Sequence, residues 1–355
     1  MKTYLVTGGA GFIGSNFVAF LLKRYDNVRV VNVDKLTYAG NLDNLVEVLG
    51  DERHIFCQED IGDGCAMQQL FKRYHPDYVV NFAAESHVDR SIETPEIFAQ
   101  TNVLGTVTLL DCALHAWQNA TGGFDSHKFV QVSTDEVYGS LGTGGFFTEE
   151  TPLDPRSPYS ASKASADCFV KAYGSTYRMP INITRCSNNY GPYQFPEKLI
   201  PLMITNALQG ISLPVYGDGL NVRDWLYVED HCRAIDLVIE GGIAGEVYNI
   251  GGNNEYPNIE IVKDIIAYLS EHVDPAIDEA LIGYVEDRLG HDRRYAIDSG
   301  KIKRDLGWFP ETSFDQGIEK TIAWYLSHEK WLERIATGAY RACSDSIPEG
   351  ASVCR

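Results

Sequence analysis

The chain has 355 residues, of which 44% are hydrophobic and 22% are charged, and its formal net charge is −19. These values are typical of a globular protein and exclude a disordered or collagen-like chain, while the length suits two domains of ordinary size. The excess of acidic residues repels polyanions over most of the surface, so we expect neither nucleic acid nor a membrane as a partner.

The eight cysteines form no Cys-x-x-Cys pair, and no histidine stands at zinc-site spacing from one of them. We therefore predict reduced thiols and no metal centre. A strand-like apolar run begins at Tyr4, which leaves no room for a signal peptide, and we find no apolar run that approaches transmembrane length. The sequence predicts a cytoplasmic protein.

Short apolar runs alternate with helical stretches along the first half of the chain. The runs are Tyr4 to Val6, Val28 to Val33, His54 to Cys57, Tyr78 to Phe82, Phe129 to Val132 and Ile181 to Thr184. Between the fourth and fifth runs, apolar residues from Val103 to Trp117 recur every three or four positions, which is typical of an amphipathic helix. This alternation predicts an α/β fold with a doubly wound parallel sheet.

A glycine-rich turn follows the first run, where Gly8, Gly11 and Gly14 have the three-residue spacing of short-chain dehydrogenases. Between a strand and a helix, such glycines let a pyrophosphate approach backbone N–H groups at the helix N-terminus. Asp34 ends the second run, 20 residues after Gly14, and its carboxylate can accept both ribose hydroxyls. Because a 2′-phosphate would meet this charge, we expect a Rossmann domain that binds NAD rather than NADP, although the neighbouring Lys35 leaves NADP open.

The composition changes near Asn188, where Pro and Gly residues become frequent. We predict an NAD-binding domain over residues 1–187 and a smaller C-terminal α/β substrate domain over residues 188–355. Residues from about 225 to 250 have the pattern of a helix followed by a strand, and we expect them to return to the first sheet. The Ser-, Gly- and Pro-rich end from residue 343 predicts a mobile tail.

A second motif, Tyr159-Ser-Ala-Ser-Lys163, places a phenol and an ammonium on one face of a helix. A nearby cation favours the phenolate, so we expect Lys163 to lower the pKa of Tyr159, which can then accept a proton from a sugar hydroxyl. Upstream, an apolar strand ends in Thr134, Asp135 and Glu136. Thr134 can hydrogen-bond the reacting oxygen, whereas adjacent acids at a strand end are, out of context, common in solvated turns.

Together these motifs resemble those of the dTDP-glucose 4,6-dehydratases, within the extended short-chain dehydrogenase family. The resemblance covers nearly the whole chain, over segments Thr7 to Gly14, Asp34 to Gly40, Ala83 to Arg90, Ser133 to Gly139, Tyr159 to Lys163, Ser187 to Pro192, Phe195 to Pro201, Arg223 to Asp230 and Gly290 to Asp298. It implies oxidation at C4 of a nucleotide-linked glucose, elimination of water across C5 and C6, and return of the hydride to C6. The implied product is a 4-keto-6-deoxy sugar, with NAD unchanged.

The resemblance also implies catalytic roles. Tyr159, held by Lys163 and aided by Thr134, deprotonates the C4 hydroxyl as hydride leaves for NAD. Glu136 then removes the C5 proton, while a protonated Asp135 donates to the departing C6 hydroxyl. Adjacent carboxyl groups in opposite protonation states suit such coupled acid and base chemistry.

The matched positions also supply the binding residues. Contacts to NAD are expected from Gly8, Gly11, Phe12, Ile13, Gly14, Asp34, Lys35, Leu36, Thr37, Asp60, Ile61, Phe82, Ala83, Ala84, Ser86, Thr101, Tyr159, Lys163 and Asn189. Contacts to the nucleotide sugar are expected from Ser86, His87, Thr134, Asn188, Lys198, Leu199, Pro214, Val215, Tyr216, Arg223, Asn258, Arg288 and His291. Among these, Arg and Lys match a diphosphate by charge and by geometry.

Two other functions stay open. A nucleotide-sugar 4-epimerase or decarboxylase on the same scaffold would share Tyr159 and Lys163 but would usually lack the acid pair Asp135 and Glu136. A non-catalytic NAD-binding regulator would be expected to have lost part of the set of Thr134, Tyr159 and Lys163, yet all of these are present.

We also predict a homodimer. The helix that carries Val103 to Trp117 and the helix that carries Tyr159 to Tyr177 resemble the pair that forms a four-helix interface in extended short-chain dehydrogenases. The expected partners are therefore a nucleotide sugar, dTDP-glucose, and a second copy of the chain.

Overall fold

The computed structural model describes residues 1–287, 291–341 and 353–354. Each apolar run of the sequence contributes a strand, and further strands follow in the second half. The strands are β1 (Lys2–Thr7), β2 (Val28–Val33), β3 (His54–Cys57), β4 (Tyr78–Asn81), β5 (Lys128–Thr134), β6 (Ile181–Cys186), β7 (Asn188–Tyr190), β8 (Leu213–Tyr216), β9 (Val222–Tyr227), β10 (Val247–Ile250), β11 (Glu255–Pro257), β12 (Ile282–Val285) and β13 (Val353–Cys354).

Helices separate most of these strands. They are α1 (Phe12–Arg24), α2 (Gly64–Tyr74), α3 (Val88–Glu93), α4 (Pro95–Phe98), α5 (Thr106–Gln118), α6 (Pro158–Tyr177), α7 (Leu199–Leu208), α8 (Val228–Gly241), α9 (Asn258–His272), α10 (Gly300–Leu306), α11 (Phe314–Ser327) and α12 (Glu329–Ala336). Short 3-10 turns lie at Leu42–Leu45, Asp135–Tyr138, Glu279–Leu281 and Ala339–Arg341.

The central sheet has eight parallel strands in the order β10-β6-β5-β4-β1-β2-β3-β13. Because successive strand residues point to opposite faces, β1 contributes to two apolar cores. Tyr4 and Val6 pack in one core with residues of α1 and α8, and Leu5 packs in the other with residues of α2 and α5. The predicted α/β fold with a doubly wound parallel sheet is therefore confirmed.

A second region has its own small sheets and its own core. Strands β11, β9 and β7 form one sheet, and β12 pairs with β8 in another. Apolar residues of α7, α9 and α11 pack together beside them, among them Ile204, Ile265 and Ile322. In contrast, β10 pairs in parallel with β6 in the central sheet. The domain bounds, residues 1–187 and 188–355, stay a prediction.

The structure differs from two expectations about apolar or terminal segments. Helices α4 and α5 are joined by a π-helical segment, Ala99–Gly105, into one helix over Pro95–Gln118 that is long and apolar enough to cross a membrane. Half of its most apolar stretch is buried inside the protein, and a core helix of a soluble protein meets the same criteria. At the other end, Val353–Cys354 pairs with β3 although we predicted a mobile tail there; the rest of that tail lies outside the described residues.

Candidate active site

Two adjoining cavities lie where the carboxyl ends of the central strands face the second region. The first, of about 320 Å³, is lined by residues at the ends of five strands: Gly8, Asp34, Phe82, Thr134 and Cys186. The second, of about 250 Å³, lies towards β8 and β9 and shares Glu136 and Lys198 with the first. The strand order reverses between β1 and β4, and ligands of doubly wound sheets bind at such a switch point.

The first cavity gathers almost all residues that we predicted to contact NAD. Its lining includes Gly8, Gly11, Phe12, Ile13, Gly14, Asp34, Lys35, Thr37, Asp60, Ile61, Phe82, Ala83, Ala84, Ser86, Thr101, Tyr159, Lys163 and Asn189. Leu36 is not among the described lining residues, because a positive φ of 57° turns its side chain towards the apolar core around α1. Leu36 is thus the one predicted NAD contact outside the described lining of this cavity.

The second cavity gathers most of the predicted sugar and nucleotide contacts. Its lining includes Ser86, His87, Asn188, Lys198, Leu199, Pro214, Tyr216, Arg223, Asn258 and His291. Thr134 lines the first cavity instead. Val215 is buried in the core, because it alternates with Pro214 and Tyr216 along β8 and so points to the opposite face. Arg288 lies outside the described residues.

The turn between β1 and α1 requires glycine. Gly8 has a φ of 69°, and a Cβ there would lie 2.6 Å from the backbone nitrogen of Ala83. At Gly14 a Cβ would lie 2.2 Å from the Gly8 carbonyl oxygen. Gly11 is the N-cap of α1 and has no side chain to cover the first N–H groups of the helix. The turn therefore leaves backbone donors open to an anion at the positive end of the helix.

Both oxygens of Asp34 accept backbone hydrogen bonds, from Ala10 N–H at 2.9 Å and from Leu36 N–H at 2.8 Å. Burial raises the pKa of Asp34, and these two donors partly oppose the rise. Lys35 Nζ lies 2.5 Å from Asp60 Oδ2. Although burial favours the neutral acid, this ion pair and the Gly62 N–H together lower the pKa of Asp60. Lys35 is thus already paired with an acid at the mouth of the cavity.

Thr134 ends β5, and Asp135–Tyr138 forms a 3-10 turn directly after it. The Glu136 N–H donates to Thr134 Oγ1 at 3.3 Å, and that hydroxyl donates to Asp135 Oδ1 at 3.4 Å. Asp135 is only 2% exposed. Burial, followed by the nearby carboxylates of Glu136 and Asp224, raises the pKa of Asp135 well above its usual value. The raised pKa favours the protonated form of Asp135.

Tyr159 lies in the first turn of α6, which begins with Pro158 and a capping box between Ser157 and Ser160. Four residues later, Lys163 is 4% exposed, and its Nζ donates to the Val132 carbonyl at 2.7 Å. Burial lowers the pKa of Lys163, although the carboxylate of Asp167 opposes this.

We expected a lowered pKa for Tyr159, and in this structure its pKa is raised. Burial, with Glu136 and Cys186 nearby, raises the pKa of Tyr159 well above its usual value. The hydrogen bond with Thr134 is the interaction that lowers it. The physical reason is that the Lys163 ammonium is held at the Val132 carbonyl, while the phenol lies in a buried environment that disfavours its anion.

A buried polar network that we did not predict joins α6 to the 3-10 turn of the acid pair. Arg185 is 1% exposed; its Nε donates to Asp167 Oδ2 at 2.9 Å and its Nη1 donates to the Tyr138 hydroxyl at 3.0 Å. The Tyr138 hydroxyl donates to Asn249 Oδ1 at 2.7 Å. The signal in the sequence was an arginine that directly follows the run Ile181 to Thr184. The network links the helix that carries Tyr159 to the turn that carries Asp135 and Glu136.

Arg223 lines the second cavity and is held there by hydrogen bonds and by an aromatic ring. Its Nη1 donates to the Val222 carbonyl at 2.8 Å, its Nη2 donates to the Asp292 carbonyl at 2.9 Å, and the guanidinium lies 4.3 Å from the ring centre of Tyr295. The Tyr295 hydroxyl donates to Asp292 Oδ2 at 2.6 Å. Our sequence analysis missed Tyr295 as a lining residue although it lies in a matched segment.

Other polar side chains of the cleft are also fixed in place. Lys198 Nζ donates to the Ser86 carbonyl at 3.2 Å, between the two cavities. Asn189 Oδ1 accepts from His231 Nδ1–H at 2.8 Å, and Asn189 Nδ2 donates to the Ser187 carbonyl at 2.9 Å. Within the described ranges, no group of three or more His, Cys, Asp or Glu is arranged to hold a metal ion.

Comparison with known proteins identifies relatives over nearly the full length. The family model for GDP-mannose 4,6 dehydratase matches residues 5–321. The dTDP-glucose 4,6-dehydratase of Xanthomonas campestris pv. campestris strain B100 is 55% identical over 345 residues, which are 96% of this chain and 98% of the relative. That of Neisseria meningitidis serogroup B is 53% identical over 348 residues, again 96% and 98%.

Solved structures give the same result. The dTDP-glucose 4,6-dehydratase of Bacillus anthracis in complex with NAD has a TM-score of 0.85 and 51% identity, covering 94% of this chain and 100% of that one. The enzyme of Streptomyces venezuelae with NAD and TYD bound has a TM-score of 0.87 and 48% identity, with the same coverage. A UDP-glucose 4-epimerase of Thermotoga maritima has a TM-score of 0.82, with 30% identity and coverage of 92% and 99%. The chain belongs to the family of the GDP-mannose 4,6-dehydratase model and, within it, to the dTDP-glucose 4,6-dehydratases.

Proposed function

We propose that the chain is an NAD-dependent lyase, a dTDP-glucose 4,6-dehydratase that forms dTDP-4-keto-6-deoxy-glucose. The observation that carries the proposal is one cavity lined by Thr134, Glu136, Tyr159 and Lys163, with Asp135, whose carboxyl has a raised pKa, next to Glu136 in the chain. A 4-epimerase needs a phenol and a lysine but no such acid pair. The names of the relatives at 50–55% identity support the same activity.

The residues of the first cavity fit a dinucleotide. The glycine turn keeps the N–H groups at the start of α1 accessible for a pyrophosphate, and Asp34 lies where ribose hydroxyls would be expected. NAD, when bound, supplies the hydride acceptor for C4 and the hydride donor for C6. The pairing of Lys35 with Asp60 supports NAD over NADP, because the ammonium already has an anionic partner.

Proton removal from the C4 hydroxyl is assigned to Tyr159. Thr134 hydrogen-bonds the phenol and partly offsets the rise in its pKa. Lys163, buried and anchored to the Val132 carbonyl, provides a fixed positive charge on the same helix face. Together these groups hold the phenol in place, and Thr134 stabilises the phenolate that accepts the proton.

The elimination step is assigned to the acid pair. Glu136 lines both cavities and removes the C5 proton, which becomes acidic once C4 is a ketone. Burial raises the pKa of Asp135 and so favours its protonated form, which can donate to the departing C6 hydroxyl. Water then leaves from C6 without a free hydroxide ion having to form.

Binding of the nucleotide is assigned to the second cavity. Arg223, stacked on Tyr295, and Lys198 provide positive charge for a diphosphate. His291 lies beside the ring of Tyr216 with 6.4 Å between ring centres, where an aromatic base could pack. Against the net charge of −19, these cations give the anionic substrate a local binding site.

We also propose that the protein works as a cytoplasmic homodimer. Large apolar side chains are exposed along the helix Pro95–Gln118 and along α6: Ile97, Leu104, Phe169 and Tyr177. Exposed apolar surface on two adjacent helices favours a protein interface. Every cysteine in the described part of the chain is a free thiol, which suits a reducing compartment. A mass near that of one chain in light scattering would contradict the dimer.

The activity is tested by incubating the purified protein with dTDP-, UDP- and GDP-glucose and recording the alkali-induced absorbance of a 4-keto product. We expect the signal with dTDP-glucose and its loss in the Tyr159→Phe variant. Formation of the C4 epimer without the 4-keto product would instead assign a 4-epimerase. No reaction with any sugar nucleotide, despite bound NAD, would assign a regulator.

A further inference from the structure

The C-terminal end of the second region lies against a loop on the cofactor side of the cleft. This loop follows β2 and spans residues 34–45; we call it the cofactor loop. The three side chains that reach it lie on α12 and on the 3-10 turn Ala339–Arg341, and we call them the strap: Trp331, Arg334 and Tyr340. These three residues are 287 to 302 positions away in the chain from their partners on the loop.

Two of the contacts hold the outer part of the cofactor loop. The Tyr340 hydroxyl donates to the Tyr38 carbonyl at 2.7 Å. Arg334 Nε donates to Asp43 Oδ2 at 2.6 Å, which is a charge-assisted hydrogen bond. The strap therefore binds both the backbone and a side chain of the loop.

The third contact extends to the glycine turn. Trp331 Nε1 donates to Asn44 Oδ1 at 2.8 Å, and Asn44 Nδ2 donates to the Ala10 carbonyl at 2.9 Å. The Asn41 N–H donates to the same carbonyl at 3.0 Å. Trp331 and Asn44 are both buried, so these bonds are shielded from water. The strap is thus connected to the pyrophosphate-binding turn through one asparagine.

The cofactor loop is itself a wall of the first cavity. Thr37, Tyr38, Ala39 and Gly40 line it, next to Asp34. The loop folds back closely, since a Cβ at Gly40 would lie 2.7 Å from Asp34 Oδ1. A ligand that fills this cavity is therefore covered by a loop that the strap holds from outside.

We propose that the strap keeps the cofactor loop closed over NAD and slows release of the dinucleotide. Trp331, Arg334 and Tyr340 line neither cavity of the described chain, so they are positioning residues that act through the loop. Slow release matters because the same NAD must take a hydride and return it within one turnover. The inference rests on the proposed NAD-dependent function.

The test measures the rate at which labelled NAD leaves the purified protein in an excess of unlabelled NAD. Tyr340→Phe and Arg334→Gln each remove one strap hydrogen bond, and we expect release to become about 5-fold faster in each and about 25-fold faster in the double variant. Turnover with saturating NAD and substrate should stay near the wild-type value, because neither side chain touches the reacting atoms.

Matched controls are Tyr268→Phe on α9 and Arg304→Gln on α10, which remove the same groups away from the loop. Asp43→Asn weakens the contact with Arg334 from the side of the cofactor loop, so it should also speed the release of NAD. This variant tests the proposal even if a strap variant folds poorly. If NAD leaves these three loop and strap variants as slowly as it leaves the controls, the proposed role of the strap is wrong. The proposed function would not be affected by that result. A wild-type protein that binds no NAD would overturn both.

Discussion

The cofactor side and the substrate side of the cleft are constructed differently. The cofactor side is a local structure, in which the glycine turn from Gly8 to Gly14 presents backbone groups and Asp34 follows one strand later. The substrate side is assembled from distant segments, as Arg223 on β9 stacks on Tyr295. A site made of backbone groups loses its ligand when a substitution prevents the main chain from adopting its conformation. A site made of side chains loses part of its affinity with each side chain that is removed. The acid pair and the phenol lie between the two.

The largest effects on turnover are expected from substitutions of the acid pair and the phenol, which lie between the cofactor side and the substrate side. Tyr159→Phe should abolish the first step, whereas Glu136→Gln should still allow bound NADH to appear but slow C5 proton exchange and loss of water. Asp135→Asn should slow the loss of water more than C5 exchange. Each turnover rate should fall ~10²- to 10⁴-fold, as measured by stopped-flow absorbance of NADH and by mass spectrometry of the product.

The acid and base roles can be separated with a C6 leaving group that needs no proton. Such a substrate should rescue Asp135→Asn and not Glu136→Gln, because only the first lacks the acid. The opposite rescue pattern, or wild-type turnover in both variants, would refute these roles.

On the cofactor side, Gly14→Ala should weaken NAD binding about 100-fold, since strain of about 3 kcal/mol arises where the added Cβ meets the Gly8 carbonyl. Calorimetric titration with NAD measures the loss. Gly50→Ala is the matched control, because a Cβ there has no neighbour within 4 Å in the described structure. Equal NAD affinity in the two variants would contradict a backbone-built site.

On the substrate side, Arg223→Lys should raise KM for dTDP-glucose about 10-fold with little change in kcat, because a lysine keeps the charge but loses the fork and the stacking on Tyr295. Steady-state kinetics with NAD-loaded enzyme measures this split. Lys263→Arg on α9 is a control away from the cleft. A fall in kcat with unchanged KM would indicate that Arg223 contributes to the reaction rather than to substrate binding.

The smallest effect concerns acid stability of the cofactor side. His54 Nε2 accepts a hydrogen bond from Asn32 Nδ2, which also donates to the Gly9 carbonyl, and burial lowers the pKa of His54 from 6.5 to about 4. Above pH 6.5 the ring is neutral in both states; as pH falls towards 4, the unfolded chain takes up a proton that the folded chain resists.

The free energy of unfolding should therefore decrease by about 2 kcal/mol from His54 alone between pH 7.5 and 5. His54→Gln should lose less stability over this range, as measured by urea unfolding at each pH. The exposed His115→Gln is the control. Parallel pH profiles for wild type and His54→Gln would contradict this assignment.

Local patterns predicted the cofactor side well, because Gly8, Gly14 and Asp34 follow from one strand-turn-helix unit and the strand after it. The same holds for Tyr159 and Lys163, whose spacing along one helix places both at the first cavity. Leu36 differs from the other predicted contacts because a positive φ, which is uncommon for leucine, directs its side chain to the apolar core around α1.

Contacts between distant residues could not be predicted. Tyr295 and the strap act through tertiary contacts, such as the bond between Tyr340 and Tyr38 that joins residues 302 positions apart. The pKa of Tyr159 depends on what surrounds it in three dimensions, and burial is the largest cause of its rise. The spacing in the sequence shows which residues are neighbours on one helix or strand. The burial of a side chain depends on all the helices and strands that pack around it.

The buried network around Arg185 implies an order of events during folding. It connects the Tyr138 hydroxyl to Asp167 and, on β10, to Asn249, so it closes only after a strand more than 100 residues downstream has joined the sheet. Contacts of such long separation form slowly because the loop between them must be closed first. A refolding chain should regain its helices before it regains turnover, and the newly synthesised protein stays inactive until β10 has left the ribosome.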